Sequence, residues 1–237
     1  MKGLLSLTVN GPTMPTVTLL GPAQAGGRPQ PGCRRSCCAN LTPNDTRHPV
    51  SLGITDEHGQ GHLIEATPQW ALMVEQGVFS SVPLATGERR SLSDQVQVEA
   101  VEVPHRAELS DMHAFIVRGP NRSLLFLPDH DRWDETLNHH GAASIRDWFR
   151  AMDVDVALVD GTFWSADELT SRTQHEVPHP PVSESLERLG ARRDDDPEIL
   201  FIHMNHTNPI HRPDSDEHAR VVSLGWGVGQ QGMTFSL

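Results

Sequence analysis

Four apolar runs in this chain each deliver a histidine or an aspartate at their C-terminal end. They are VEVPHRAEL, LLFLPDHDRW, ALVDGTFW and LFIHMNH, and they end at His105, Asp129, Asp160 and His203. Short apolar runs bounded by turn residues read as buried strands. Polar ligands in such folds gather where strands end. Imidazole and carboxylate are the donors that zinc, iron and manganese take in hydrolytic and oxygen-handling sites. The same residues have a plainer use. An aspartate at a strand end can cap the following turn, and a histidine there can simply be half-buried. Spacing alone leaves both readings open.

The rest of the chain sets these runs in an α/β context. Strands are expected at 17–20, on both sides of a turn at His58–Gly61 within DEHGQG, and at 96–103, where VQVEAVEV alternates with period two. A hairpin is expected around Gly119-Pro120-Asn121. Residues 25–48 read as a loop rich in Gly, Pro, Arg and Cys, and 68–76 as helical. Helices are also expected at 144–152, capped by Ser144, over PPVSESLERL before Gly190, and over DSDEHARVVS. GMTFSL closes the chain as a strand. Strands come first and then alternate with helices, which implies two sheets with helices packed outside, an α/β sandwich. Residues 1–13 read as an N-terminal extension and 14–237 as one domain.

Composition narrows the function classes. A 237-residue chain can bury a core without staples. Its formal charge of −12 argues against a basic nucleic-acid or membrane surface. No apolar run reaches the ~18 residues of a membrane span, and the N-terminus lacks the pattern of a signal peptide. Three cysteines suit a reducing cytosol better than a disulfide framework, which places the protein in the cytoplasm. Fourteen histidines are the compositional outlier, and there is no tyrosine.

In sequence order, the segments VTLLGPAQAGGRPQPGCRRSCC, SLGITDEHGQGHLIEATPQW, EVPHRAEL, LLFLPDHDRW, VALVDGTFW, EVPHPPVSESLERL and FIHMNHTNP resemble metallo-β-lactamase-fold proteins similar to the pyrroloquinoline quinone biosynthesis protein B. The ending HMNHTNP followed by GMTFSL is the most specific part. The resemblance runs from Met14 to Leu237 and implies an αββα sandwich. It also implies roles. His105 stands in the place of the isolated metal-binding histidine, and Asp129 in that of the carboxylate bridging two metals. His203 takes the place of the last metal-binding histidine. His179 resembles the histidine that serves related phosphodiesterases as general acid. Asp160 and His206 are expected to support these ligands by hydrogen bonding. His211 and His218 read as surface residues, and His139 and His140 as an exposed loop.

One family element is missing. Metallo-β-lactamase-fold hydrolases carry a His-x-His cluster after the second or third strand, and no His-x-His occurs here. The segments resembling the family before and after that cluster meet near 75–78, so the first half of the sandwich is expected to be shortened by an internal deletion. Glu65 also stands where relatives show Asp, and Ala25 where an acidic residue is common. His105, Asp129 and His203 amount to a 2-His-1-carboxylate set, sufficient for one ion. The lost strand and helices imply an exposed sheet edge, open to partner pairing or a homo-oligomer.

GCRRSCC places Cys33, Cys37 and Cys38 within one loop. Thiolates this close suit a structural zinc with a fourth ligand from elsewhere; relatives carry a cluster at this point, and His48 and Asp45 are both open as the fourth. The expected function is a metal-dependent hydrolase acting on a small molecule, with zinc or iron at the active site. Two alternatives stand beside it: a mononuclear iron oxygenase, and a non-catalytic scaffold held by the cysteine zinc.

Overall fold

A computed structural model describes residues 13–64, 75–77, 80–105, 112–168 and 177–237. Among them, eleven strands form two sheets. The first sheet holds β1 (Thr16–Gly21), β2 (Ser51–Thr55), β3 (Gly61–Ile64) and β11 (Thr234–Ser236). Its order is β11-β1-β2-β3, antiparallel throughout. The second sheet holds β4 (Arg89–Ser91), β5 (Gln97–Glu102), β6 (His113–Arg118), β7 (Ser123–Leu127), β8 (Val156–Asp160), β9 (Glu198–Ile202) and β10 (Gly227–Val228). Its order is β10-β9-β8-β7-β6-β5-β4. Strands β4 to β7 pair antiparallel, and β7 to β10 pair parallel. The expected N-terminal extension, Glu65 and the helix over 68–76 lie outside the described residues or at their border, as does the junction near 75–78.

The period of two in a strand explains the layering. Leu124 and Phe126 of β7, Val156 and Leu158 of β8, and Leu200 and Ile202 of β9 pack with Val17, Leu19, Leu52 and Ile54 of the first sheet. Their neighbours Leu125, Leu127, Ala157, Val159, Ile199 and Phe201 point the other way. There they meet α1 (Trp133–His139), α2 (Ile145–Met152), α3 (Val182–Leu189) and α4 (Asp216–Ser223) through Trp133, Phe149, Leu186 and Val221. Strands buried on both faces read as unbroken apolar runs, which is why β7, β8 and β9 are so apolar. Each such Leu, Ile or Phe stabilises the fold by about 1.5–3 kcal/mol relative to exposure.

Helix α2 begins where its cap predicts: the Ser144 hydroxyl accepts from the Asp147 amide. Helix α1 is not anticipated from the sequence. Its buried face is only Trp133, Thr136 and Leu137, too few apolar positions to declare a period. His139 is exposed at its end, but His140 is half-buried and stacks on Trp148 at 4.9 Å, so it is not the open loop residue expected.

Two local features fix the rim where β7, β8 and β9 end. The Gly161 amide donates to Ile202 O at 2.8 Å. A Cβ on Gly161 would lie 2.9 Å from the Phe201 Cβ and 3.0 Å from Ile202 O, so only glycine allows this approach. The loop after β1 is stitched to the end of β9: Met204 N donates to Pro22 O, and Gln24 N to Met204 O, each at 3.0 Å.

Candidate metal centre

Asp160 is the last residue of β8 and is fully buried. Its Oδ1 accepts from the Thr162 amide at 2.8 Å and the Thr162 hydroxyl at 2.7 Å. That hydroxyl has one proton, and it is used here. The Nδ1–H of His203 can therefore donate to Thr162 Oγ1, 2.9 Å away. This tautomer leaves Nε2 as the lone-pair atom of His203. His203 follows β9 directly and has φ 57°, a left-handed conformation uncommon outside glycine. Such conformations collect at functional sites, where packing holds a side chain in one direction.

Asp129 follows β7, and His179 precedes α3. His179 Nδ1 lies 2.8 Å from Asp160 Oδ2 and 3.2 Å from Asp129 Oδ1. Asp129, Asp160, His179 and His203 thus bring ligand atoms within 4.8 Å of one another, three of the four residues being buried. His105, after β5, also borders Asp129, its Nδ1 3.3 Å from Asp129 Oδ1. The rings of His105 and His203 flank His179 at centroid distances of 5.6 and 5.7 Å.

The electrostatics suit a cation. Burial pushes the His203 imidazole down to about 4 against the pull of Asp160, so it is neutral at pH 7. Burial likewise lowers His105, aided by His179. Burial opposes ionisation of Asp160, but the charge and hydrogen bond of His179 outweigh it and hold the carboxyl below the usual range. His179 is the reverse case. Burial would lower it, yet Asp160, with Asp129 and Asp131, pushes it up to about 9. Two carboxylates, the neutral imidazole of His203 and an imidazole of His179 that can exchange its proton for a cation are, at one buried point, the donor set of a divalent metal, so the residues present fit such an ion. An imidazole nitrogen that binds a cation must give up its proton, so His179 exchanges one for the other if that nitrogen binds.

The structure brings the expected residues His105, Asp129, Asp160, His179 and His203 together. It does not place His206 with them. The His206 Nδ1 lies 3.4 Å from both Cys37 Sγ and Cys38 Sγ, and Cys33 Sγ is 3.9 Å from Cys37 Sγ. Cys33, Cys37, Cys38 and His206 form a separate four-donor group, so His206, rather than His48 or Asp45, completes the cysteine cluster. Asp45 instead caps its own turn through Thr42. His211 is also not at the surface. It is buried, held down to about 3 by that burial, and satisfied by Asn205 O at 3.1 Å. His218 is half-buried against Ile210 O at 2.8 Å.

Three residues near the rim escape the sequence reading. Thr162 joins Asp160, His179 and His203 through one hydroxyl. Asp131 lies 2.9 Å from His105 Nδ1. His130 is fully buried against Trp133, its Nδ1 facing Thr136 Oγ1 at 2.9 Å. The available signal was proximity in sequence: PDHD and DGT each continue directly from a singled-out aspartate.

The beta-lactamase superfamily domain matches residues 47–221, and the chain belongs to that family. Its curated relatives include the coenzyme PQQ synthesis protein B of Cupriavidus taiwanensis, 37% identical over 94 residues, which covers 35% of this chain and 29% of that protein. The coenzyme PQQ synthesis protein B of Xanthomonas campestris pv. campestris is 25% identical over 229 residues, covering 88% of this chain and 76% of the relative. The chain spans only 29 to 38% of the length of the first three relatives it matches. Zn(2+)-bound PqqB from Methylobacterium extorquens shares the fold, with a TM-score of 0.70 at 19% identity over 94% of this chain and 100% of that one. A diphosphatase of the PhnP family does so at a TM-score of 0.62 and 15% identity, over 95% of this chain and 98% of that one. Among the described residues, no helix is long and apolar enough to cross a membrane.

Proposed function

We propose that this chain is a metal-dependent hydrolase of a small-molecule ester or phosphoester. The observation that carries the reading is the convergence of Asp129, Asp160, His179 and His203 within 4.8 Å at the ends of strands. These residues would hold a divalent ion, with His105 beside Asp129. A bound ion supplies a Lewis acid and acidifies a coordinated water. The chain's own residues do the rest. Thr162 orients Asp160 and His203 through its hydroxyl. His179 keeps its proton on Nδ1 toward Asp160 while no cation competes for that nitrogen.

The cysteine cluster is read as a zinc staple. Three thiol sulfurs and one imidazole match a Cys3His structural site. Three free thiols also fit a reducing compartment such as the cytoplasm. The names of the curated relatives support a place in quinone cofactor synthesis, and the PhnP-family fold neighbour supports phosphoester chemistry.

The test is chelation followed by metal restoration, assayed on bis(p-nitrophenyl) phosphate and p-nitrophenyl esters. Hydrolysis that vanishes on chelation, returns with zinc or manganese, and is absent from His203→Ala supports the reading. Metal-independent hydrolysis overturns it. Iron content with oxygen-dependent turnover and no hydrolysis assigns oxygen chemistry instead.

A further inference from the structure

His203 and His206 account for the histidines of HMNHTNP, but the motif also holds Asn205, Thr207 and Asn208. Asn208 is buried, 2% exposed. Its Oδ1 accepts from the Ile210 amide at 3.1 Å and so caps the turn at Pro209–His211. Its Nδ2 donates to Gly161 O at 2.7 Å and lies 3.4 Å from Thr162 O. One short amide thus serves a donor on its own loop and an acceptor on the loop after β8. The two partners fix which way the amide faces, and only a group with both a donor and an acceptor meets them.

The tie falls where the centre needs it. Gly161 stands between Asp160 and Thr162, and glycine is the freest backbone link in a chain. His203 is held at φ 57°, a conformation that persists only when its surroundings over-determine it. Further bonds join the same two loops. The Asn205 amide donates to Thr162 O at 2.9 Å. The Thr207 hydroxyl donates to Glu168, whose other oxygen accepts from the Trp164 amide at 2.7 Å. Among these bonds, only the one from Asn208 reaches Gly161 O.

We propose that Asn208 is a positioning residue of the metal centre: its side-chain amide locks the loop that begins with His203 to the turn that joins Asp160 to Thr162. The proposal rests on the metal-centre reading of Asp129, Asp160, His179 and His203. Asn208 touches no reacting atom. It acts by keeping two ligands from opposite loops in one relative position, as a preorganised site requires.

Cobalt is the probe. The full chain, with zinc left on its thiolates, is titrated with CoCl2, and the visible d–d absorption reports the ligand geometry. Asn208→Ser and Asn208→Asp each keep a capping oxygen for Ile210 and lose the amide donor, so the comparison survives if one of them does not fold. The expected result is a cobalt affinity ~10–100-fold lower with an altered d–d spectrum, and unchanged zinc content. Asp196→Asn serves as the control, because it breaks a buried pair away from the centre. It should lower stability to urea and leave the cobalt affinity and spectrum as they were. Unaltered affinity and spectrum in the folded Asn208 variants overturn the proposal and leave the centre standing. An equal loss in Asp196→Asn also overturns it, since the effect is then general destabilisation. Cobalt uptake by the unaltered chain no greater than that of a His203→Ala/Asp160→Asn variant overturns the metal centre itself, and the proposal with it.

Discussion

The imidazole of His206 lies 3.4 Å from the sulfur of Cys38, although 168 residues separate them in the chain. The contact joins the loop after β1 to the loop after β9, three residues beyond His203. With zinc on the cluster, His206→Ala is expected to weaken zinc binding by more than the ~10–100-fold typical of losing an outer partner, because a direct donor is lost. Competition with a chromophoric chelator measures this. His48→Ala, by contrast, should leave the affinity unchanged.

Thr162 holds three members of the centre with one hydroxyl. Thr162→Val keeps the shape and removes the hydroxyl. Metal affinity at the centre should fall by ~10–100-fold. Zinc on the cysteine cluster should not change. Isothermal titration of the chelated protein, compared with zinc retained on the thiolates, separates the two effects.

Arg146 grips Asp196 with two hydrogen bonds of 2.6 and 2.8 Å, in a pair that is almost entirely buried. Burial pushes the Asp196 carboxyl up, but Arg146 and the Arg193 amide outweigh it and hold the pKa below the ordinary aspartate value. A carboxylate lowered on folding stabilises the protein above its unfolded pKa of ~3.9, and that contribution is lost as pH falls through the folded pKa. Asp196→Asn should therefore cost about 3 kcal/mol near pH 7, the low end for breaking a buried pair. The difference between the two proteins should shrink below pH 4. Urea denaturation at several pH values checks both the size and the sign.

How much of this was legible in the sequence differs from residue to residue. Strands β7, β8 and β9 announce themselves because burial on both faces demands unbroken apolar runs. Asp129, Asp160 and His203 follow from those runs because each stands at or just past a strand end. His206 was not legible as a partner of the cysteines. Its role depends on the backbone bonds between Pro22, Gln24 and Met204, which tie two distant loops together. His211 reads as exposed in a polar stretch. The turn at Pro209–His211 buries it and satisfies its ring with a carbonyl, and a sequence pattern shows neither. Asp131 was passed over because Asp129 already accounts for the strand end. Its value comes from lying opposite His105, which only the pairing of two turns reveals.

The most direct test of the account is elemental analysis of three purified proteins: the unaltered chain, a His203→Ala/Asp129→Ala variant and a Cys33→Ala/Cys37→Ala variant. Two separable losses are expected. The first variant keeps the cysteine-bound zinc and loses the metal of the centre, and the second does the opposite. Metal that falls only in the cysteine variant would contradict the account and leave a zinc-stapled scaffold without a metal centre.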